Sequence, residues 1–399
     1  MPSSLRDIVA ARRLLRHSLE AMPADAPSPT ISTAWMRVDN ESATTSPSLL
    51  IYPERVDANL RRMLALVGDP ARLRPHLKTH KLPQLVARQV ELGITKCKCA
   101  TIAEAEMAAR AGAMDVLLAA QLVGPNVARF VALIRTFPQV CFSTVADDAG
   151  VIAAFSRAAV AASLTVEVLL DLDIGQHRTG IAPGPGAVEL YRKLASLPGL
   201  RPGGLHAYDG HLHQSNLAER SAACDAAFAD VSALKAELVR AGLPIPRIVC
   251  GGTPTFPLHA RRAEVECSPG TCVLWDAGYA AKLPDLEFQH AAVLMTRVIS
   301  RPASNRLCLD LGHKSVASEM PHPRVIFAAL PDARAVVHSE EHLVLETALA
   351  GDFPVGAVLY GLPWHICPTV ALHDRVQVVR SGRVVEEWPV AARARRLGI

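Results

Sequence analysis

A short basic stretch, RPHLKTHK at residues 74–81, combines side chains that can do covalent and proton-transfer chemistry. Lys78 lies between His76 and His80. A lysine amine in such a setting can form a Schiff base with a carbonyl compound, and histidine can move protons at neutral pH. A solvated basic loop has the same composition. The stretch therefore indicates a catalytic role for Lys78 and His76 only if further site residues accompany them.

Two loops rich in small residues follow late strands of the chain. The first is CGGTPTF at residues 250–256, and the second is CSPGTCVLWDAGY at residues 267–279. Backbone N–H groups and threonine hydroxyls in such loops can bind phosphate, although either loop alone is also typical of a turn. A phosphate site combined with a Schiff-base lysine indicates pyridoxal phosphate. The residues predicted to bind it in these loops are Gly252, Thr253, Gly270, Thr271 and Tyr279.

Two further strand candidates, in LLDLDIGQHRTG and LHAYDGHLH, end in polar residues. In the first, Gln176 could orient the cofactor ring and Arg178 could contact it, with a loop ion pair as the alternative for Arg178. In the second, Tyr208 could hydrogen-bond the cofactor, and His211 could serve as an acid or base. His211 and His213 also have the spacing of a metal pair. An acid–base or substrate-contact role is favoured because a loop has no fixed ligand geometry.

The stretch WHICPTV, residues 364–370, places His365 and Cys367 one residue apart. In isolation, this spacing favours a buried histidine beside a thiol over a metal site. The nine cysteines are spread along the chain, which indicates reduced thiols in a cytoplasmic protein. Cys97 and Cys99 are therefore predicted to be buried strand cysteines rather than half of a metal clamp.

Strands that are apolar on both faces alternate with amphipathic helices, starting from SLLIY near residue 48. This pattern predicts a parallel sheet covered by helices. Roughly eight such units give the size of a (β/α)8 TIM barrel. An open doubly wound sheet is the alternative. After about residue 285, alternating runs separated by Gly, Pro and Asn predict an antiparallel β domain. The predicted domains are an N-terminal extension (1–45), a cofactor-binding barrel (46–284) and a C-terminal β domain (285–399).

The composition excludes several other classes of protein. Lysine and arginine total 42 against 38 aspartates and glutamates, so the net charge of +4 does not indicate a nucleic-acid partner. The apolar runs are too short to cross a bilayer, which predicts no membrane association. Charges throughout the first 23 residues argue against a signal peptide. The arginine-rich pattern there is also that of a mitochondrial transit peptide, but Asp7 and Glu20 interrupt the positive charge and favour a surface helix.

The motifs together, in their order along the chain, resemble the fold-type III pyridoxal-phosphate enzymes of the D-threonine aldolase/D-serine dehydratase family. The resemblance covers about residues 45–392. The stretches that carry it are PHLKTHK, LDIGQHRTG, GLHAYDGH, GGTPT, ECSPGTCVLWDAGY, SEEH and HICPTVALHD.

This resemblance implies that Lys78 holds pyridoxal phosphate and that the two glycine–threonine loops bind its phosphate group. It also implies that His365 and Cys367 bind a divalent metal, zinc or manganese. The implied fold is a barrel of the alanine racemase type followed by a β domain, and the implied assembly is a homodimer. The expected substrate is a small D-amino acid.

The predicted function is therefore a lyase acting on D-β-hydroxy-α-amino acids, with D-threonine aldolase, which forms glycine and acetaldehyde, as the first choice. A dehydratase of D-serine or D-3-hydroxyaspartate is the alternative. The resemblance implies that the aldolases of the family carry aspartate at the position of Cys367. Carboxylate ligands suit Mn²⁺ or Mg²⁺, whereas thiolate favours Zn²⁺. An amino-acid racemase is a further alternative, but it would not need His365 and Cys367.

Overall fold

The computed structural model describes residues 33–399. The surface helix predicted at the start of the chain, and most of the predicted extension 1–45, lie outside the described residues. The described chain begins with two short 3-10 turns, Ala34–Met36 and Glu41–Ala43. The first strand, β1 (Ser48–Ile51), follows them.

Seven parallel strands form a curved sheet in the order of the sequence. Helices that connect or flank them cover the outer face of this sheet. The strands are β2 (Lys96–Cys99), β3 (Asp115–Leu118), β4 (Cys141–Ala146), β5 (Val166–Leu172), β6 (Leu200–Ala207), β7 (Ile248–Cys250) and β8 (Val265–Cys267). The helices are α1 (Pro53–Val67), α2 (Pro83–Glu91), α3 (Ile102–Arg110), α4 (Pro125–Thr136), α5 (Ala149–Ala161), α6 (Pro185–Ser196), α7 (Leu217–Arg240), α8 (Phe256–Ala260) and α9 (Ala277–Lys282).

Local sequence explains where most of these helices begin. α1, α2, α4 and α6 each carry proline in the first turn, where its missing N–H removes no helical hydrogen bond. The other long helices begin after a side chain that accepts backbone N–H groups: Thr101 before α3, Asp148 before α5 and Asn216 before α7.

An extended segment at residues 73–76 joins the two edges of the curved sheet and completes the barrel. The N–H of Arg74 donates to Cys267 O on β8, and Pro75 O accepts from Lys98 N on β2, both at 2.9 Å. The sequence predicts a regular strand here, but the segment makes only isolated parallel bridges. Pro75 has no N–H to donate, so a continuous ladder cannot form through it.

The second sheet contains the remaining strands and one strand from before the barrel. Its order is β12-β13-β10-β9-β1-β15-β16, with β14 pairing with β9 and β11. The strands are β9 (Ala292–Ala303), β10 (Arg306–Leu309), β11 (Val325–Ile326), β12 (Arg334–His338), β13 (Leu343–Glu346), β14 (Val358–Pro363), β15 (Arg375–Arg380) and β16 (Arg383–Pro389). A short helix, α10 (Ile366–Leu372), lies between β14 and β15.

The position of β1 corrects the sequence analysis, which places this strand at the start of the barrel series. It instead pairs antiparallel with β9 and parallel with β15. The C-terminal sheet is therefore mixed rather than wholly antiparallel. All four residues of β1 are buried, so the strand needs partners on both edges and cover on both faces, which this sheet supplies. The predicted α/β fold class, a barrel followed by a β domain, is confirmed.

The interior of the barrel has three layers along its axis. Buried apolar side chains fill the middle layer: Leu117, Val145, Leu169 and Val249. Charged side chains in ion pairs fill the end where the strands begin. Polar and basic side chains occupy the end where the strands finish, which is the end where barrel enzymes place their active sites. Within residues 33–399, no helix is long and apolar enough to cross a membrane.

Candidate functional site

A cavity of about 460 Å³, partly open to solvent, lies at the carboxyl ends of the barrel strands. It brings together residues from five separate stretches of the sequence. The cavity is lined by His76, Lys78, Lys98, Ala119, Asp171, Leu172, Gln176, Arg178, Thr179, His206 and Tyr208. Five of the predicted site residues, His76, Lys78, Gln176, Arg178 and Tyr208, therefore share one cavity.

Lys78 lies on a single 3-10 turn, Leu77–Thr79, that ends the segment closing the barrel. The backbone N–H of Lys78 donates to Nδ1 of His76 at 3.4 Å, which fixes the imidazole at the start of this turn. Burial, followed by the charges of Lys98 and Lys78, lowers the pKa of His76 well below its usual value. His76 is therefore neutral at physiological pH.

Lys98 is a second amine in the cavity, and the sequence analysis missed it. Its residue is 2% exposed, and its Nζ donates to Ser268 Oγ at 2.5 Å. Burial and then the charge of Lys78 lower the pKa of Lys98 to about 7. The sequence KCKC contained a signal for this position. Cys97 and Cys99 are buried, as predicted, and face the helices. Alternation along β2 then directs Lys98 into the barrel.

Asp171 and His206 form a second pair that the sequence analysis did not identify as functional. His206 Nδ1 lies 2.6 Å from Asp171 Oδ1. The carboxylate fixes the Nδ1–H tautomer, while Nε2 is buried and has no hydrogen-bond partner among the described residues. Burial is the main cause that lowers the pKa of His206, against the raising effect of Asp171. A buried acceptor without a partner at the cavity wall fits a bound group that carries a donor.

The two glycine–threonine loops lie against each other at the mouth of the barrel. Thr253 Oγ1 accepts the N–H groups of Gly270 and Thr271 at 3.2 and 3.0 Å. A Cβ on Gly270 would lie 2.8 Å from Thr79 Oγ1, next to the lysine turn. Only glycine leaves this space open. The two loops therefore meet beside Lys78, and a phosphate group bound there would accept the N–H groups of Gly270 and Thr271 in place of Thr253 Oγ1.

Gly252 has a different role from the one the sequence predicts. Its N–H donates to Asp209 Oδ1 at 3.0 Å, so this group is already paired within the protein. A Cβ at this position would lie 3.2 Å from the Tyr208 ring. Gly252 therefore contributes close approach between its loop and Tyr208, rather than a free donor.

The metal motif is held against the barrel by contacts to the loop after β8. Asp276 Oδ2 accepts the N–H of Ile366 at the start of α10, at 3.1 Å. Gly278 N donates to Trp364 O at 3.0 Å, and a Cβ on Gly278 would lie 2.5 Å from that oxygen. These contacts place the C-terminal motif over the cavity of the same chain.

Cys367 lies between the lysine turn and the second glycine–threonine loop. Its Sγ is 3.2 Å from Thr79 Oγ1 and 3.5 Å from Thr271 Oγ1. Burial raises the pKa of Cys367, but the interaction with His365 and the two hydroxyls outweighs it and lowers the pKa overall. The thiolate, which is the form that binds metal, is therefore favoured.

His365 carries its own orienting carboxylate. Nδ1 lies 2.5 Å from Glu319 Oε1, which leaves Nε2 as the nitrogen available to a metal. Burial lowers the pKa of His365, but Cys367, Glu319 and Asp276 outweigh it and raise the pKa to about 9. Within residues 33–399, no third histidine, cysteine or carboxylate completes a ligand cluster with this pair. A metal here would need water or substrate oxygen as further ligands, and the imidazole–thiolate set suits Zn²⁺.

The remaining predicted residues lie at the rim of the site. Tyr279 stacks on Trp275 with ring centroids 5.8 Å apart, and burial raises its pKa. His211 packs beside Gly175, where a Cβ would lie 2.7 Å from the imidazole Nε2. Burial lowers the pKa of His211, and its side chain is not among those that line the cavity. His213 is exposed and contributes no side chain to the cavity.

Fold and site together define a barrel enzyme whose strand ends present Lys78, two glycine–threonine loops and the His365–Cys367 pair. Two family models match the chain: "Alanine racemase, N-terminal domain" over residues 51–276 and "Putative serine dehydratase domain" over residues 291–379. The chain is 33% identical over 356 residues to a D-threonine aldolase of Arthrobacter sp, covering 87% of this chain and 92% of the relative.

Two further relatives extend the comparison. A D-threo-3-hydroxyaspartate dehydratase of Delftia sp. (strain HT23) is 27% identical over 375 residues, covering 86% of this chain and 96% of that enzyme. The crystal structure of D-threonine aldolase from Filomicrobium marinum has a TM-score of 0.82 and 31% identity, covering 88% of this chain and 96% of that chain. The chain belongs to the D-threonine aldolase/D-serine dehydratase-like family of fold-type III pyridoxal-phosphate enzymes, and it is a lyase.

Proposed function

We propose that this chain is a pyridoxal-phosphate- and metal-dependent D-threonine aldolase that cleaves D-threonine to glycine and acetaldehyde. One observation carries the proposal: Cys367 Sγ contacts both Thr79, next to Lys78, and Thr271 of the second glycine–threonine loop. The candidate metal pair and the candidate cofactor site are therefore two sides of a single cleft. This is the arrangement that a substrate with both an α-amino group and a β-hydroxyl requires.

Several of the chain's residues are suited to hold the cofactor. Lys78 would supply the amine, and the N–H groups of Gly270 and Thr271, which are paired with Thr253 Oγ1, would become the donors to the phosphate. Tyr208 forms the opposite wall, with Arg178 5.1 Å from its ring centroid. When bound, pyridoxal phosphate supplies an electron sink for a negative charge at Cα.

Proton transfer falls to histidine and lysine side chains in and near the cavity. In the aldol cleavage, a base removes the β-hydroxyl proton, the Cα–Cβ bond breaks, and Cα receives a proton to give glycine. Neutral His211 is our assignment for the base, because its pKa is lowered by burial and its Nδ1 is buried without a partner among the described residues. Lys78 lies in the cavity on the cofactor side, with the neutral His76 beside it, and is suited to deliver the proton to Cα.

The metal pair has a separate task in this proposal. His365 and Cys367 would bind a divalent cation, Zn²⁺ before Mn²⁺, that holds the substrate's β-hydroxyl and lowers its pKa. Binding the hydroxyl in this way favours substrates that carry an oxygen on Cβ. It also explains why a racemase, which needs no contact to Cβ, has no use for this motif.

A D-serine or D-3-hydroxyaspartate dehydratase is the second candidate, and Cys367 is the observation that favours it. A thiolate-bound zinc ion can act as a Lewis acid that helps hydroxide to leave Cβ. Lys78 would then remove the α-proton instead of donating one. The two reactions share every residue of the site and differ only in which bond to Cβ breaks.

Product analysis separates these candidates. We expect the enzyme, purified with pyridoxal phosphate and Zn²⁺ or Mn²⁺, to release acetaldehyde and glycine from D-threonine. Formation of 2-oxobutyrate from D-threonine and pyruvate from D-serine, without acetaldehyde, would overturn the aldolase in favour of the dehydratase. Racemised substrate without either product would contradict both. A homodimer, a D-amino-acid substrate and a cytoplasmic location stay predictions; light scattering of the purified protein tests the first.

A further inference from the structure

A buried chain of three side chains lies beneath the first glycine–threonine loop, and the chemistry described above does not use it. The chain consists of Arg262, His259 and Asp209. The side chains of His259 and Asp209 are 2% and 1% exposed, and that of Arg262 is 15% exposed. Asp209 directly follows Tyr208, so the inner end of the chain touches the wall of the cofactor cavity.

The donors in this chain run in one direction. Arg262 Nη1 lies 2.9 Å from His259 Nδ1, and an arginine can only donate. Nδ1 must therefore accept, and the imidazole proton lies on Nε2, which is 2.8 Å from Asp209 Oδ2. Burial lowers the pKa of His259, while Asp209 and Cys224 raise it to about 9. This raised pKa favours a second proton, but that proton would lie on Nδ1 and face the guanidinium of Arg262 2.9 Å away. The hydrogen-bond geometry therefore requires the neutral imidazole, which satisfies both contacts.

The same geometry argues against a metal ion at this place. Asp209, Cys224 and His259 offer ligand atoms within 4.8 Å of one another, which is the spacing of a metal cluster. However, Nε2, the nitrogen that faces the other two ligands, carries the proton. Arg262 Nη1 also lies 3.6 Å from Cys224 Sγ, so a cation already occupies this side of the cluster.

The inner end of the chain acts on the glycine–threonine loop. Asp209 Oδ1 accepts the N–H of Gly252 at 3.0 Å and the hydroxyl of Thr255 at 2.8 Å. By accepting from both Gly252 and Thr255, the Asp209 carboxylate fixes the conformation of the loop. It can do so only if its own orientation is fixed. His259 holds it through Oδ2, and Arg262 holds His259.

We propose that His259 is a positioning residue for the cofactor phosphate: it orients Asp209, and Asp209 holds the loop that contains Gly252 and Thr253. This inference rests on the proposed cofactor site. It adds that affinity for pyridoxal phosphate depends on a donor–acceptor pattern at a residue that does not line the cavity. Glutamine reproduces this pattern, because its amide can donate to Asp209 and accept from Arg262. Methionine has a similar volume but lacks both functions.

The test compares His259→Gln with His259→Met. The dissociation constant for pyridoxal phosphate is measured by absorbance or fluorescence titration of the cofactor-free enzyme, and melting temperatures are recorded with it. We expect His259→Met to bind the cofactor roughly tenfold or more weakly, because a hydrogen bond to a charged group is lost. We expect His259→Gln to remain within about threefold of the wild type. Leu258→Met, at the neighbouring buried position, controls for disturbance of α8 and should bind as the wild type does.

The outcomes separate this inference from the proposed function. A wild-type enzyme that binds no pyridoxal phosphate overturns the proposed function and this inference with it. A wild type that binds tightly, with a folded His259→Met that binds equally well, overturns only the inference, as does a His259→Gln that is as weak as His259→Met. If His259→Met does not fold, Arg262→Met takes its place. A raised dissociation constant for Arg262→Met supports the positioning role of the Arg262–His259–Asp209 chain, and an unchanged one overturns it.

Discussion

The two ends of the barrel interior balance their charges in opposite ways. At the end where the strands begin, fully buried Arg74 donates to both oxygens of Asp115 at 2.8 and 2.9 Å and to Glu266 at 2.8 Å. At the other end, Lys78, Lys98 and Arg178 surround the Tyr208 ring, each within 6 Å of its centroid. None of these three cations forms an ion pair with a carboxylate in the part of the chain that the structure describes.

This difference shows which end is built for stability and which for binding. A buried arginine with two carboxylates is electrostatically complete, and it closes the barrel where Pro75 interrupts the strand ladder. Lys98 is the buried member of this set of unpaired cations, and burial is the main cause of its lowered pKa, which shows that its charge is costly to bury. Such a set is retained where an anionic ligand completes it. A phosphate group and the carboxylate of an amino acid have the charge that this end lacks.

The largest effect is expected from Lys78→Ala. This variant should lose all lyase activity and the visible absorbance of lysine-linked pyridoxal phosphate, while its melting temperature without cofactor stays close to that of the wild type. Absorbance spectra and a discontinuous acetaldehyde assay check both points. Lys314→Ala, on the exposed surface of the β domain, serves as the control. Full absorbance in Lys78→Ala would show that Lys78 is not the lysine that binds pyridoxal phosphate.

Cys367→Ala tests the metal half of the binding end. The variant should lose bound zinc and activity but keep the cofactor spectrum, because the thiolate is one of only two side-chain ligands in the motif. Elemental analysis after dialysis gives the metal content. Cys141→Ala is a suitable control, since Cys141 is exposed and does not line the cavity. Zinc at full occupancy in Cys367→Ala would place the metal elsewhere.

Arg74→Met tests the structural end. Removal of the guanidinium leaves Asp115 and Glu266 partly buried with their main partner gone, and we expect a loss of about 3–5 kcal/mol in the free energy of unfolding. Urea unfolding followed by circular dichroism measures it. The exposed pair Arg62–Glu287 provides the contrast, since Arg62→Met should cost at most about 1 kcal/mol. Equal losses in both variants would mean that the buried network is no more than a surface ion pair.

Glu319→Gln sharpens the description of the metal pair. Loss of the carboxylate beside His365 Nδ1 should weaken zinc binding roughly 10- to 100-fold without changing the affinity for pyridoxal phosphate. Competition titration with a chromophoric chelator measures the zinc dissociation constant. Glu341→Gln removes an equally accessible glutamate that pairs with Lys314, and its zinc affinity should be unchanged. A Glu319→Gln protein that binds zinc as the wild type does would show that the contact does not orient the ligand.

The smallest expected effect concerns pH and the structural end. Burial raises the pKa of both Asp115 and Glu266, but Arg74 and nearby cations outweigh it, so the folded pKa values are lowered. Groups with lowered folded pKa values stabilise the protein above their ordinary pKa of roughly 4, and this contribution disappears as the pH falls through the folded values. The wild type should therefore lose more stability than Arg74→Met between about pH 5 and pH 3. Melting temperatures across this interval give the comparison.

Much of the binding end could be predicted because its residues sit in short motifs with recognisable chemistry. Lys78, the two glycine–threonine loops and the His365–Cys367 pair are local patterns, and alternation of strands and helices fixed the barrel around them. Lys98 could not be assigned in this way. Its place in the cavity depends on the side of β2 from which its side chain extends. Its lowered pKa depends partly on Lys78, which lies 20 positions earlier in the sequence.

The sequence by itself determined the types of chemistry available: an amine, two glycine–threonine loops, an imidazole and a thiol, on a barrel followed by a β domain. Only the tertiary structure decided how these groups are combined. It placed β1 in the second sheet, brought Cys367 to the lysine turn and paired Gly252 with Asp209. It also left His206 Nε2 without a partner among residues 33–399. The physical reason is that the functional group of a side chain is set by the residue type. Burial, hydrogen-bond partners and pKa shifts depend on neighbours that meet only after folding.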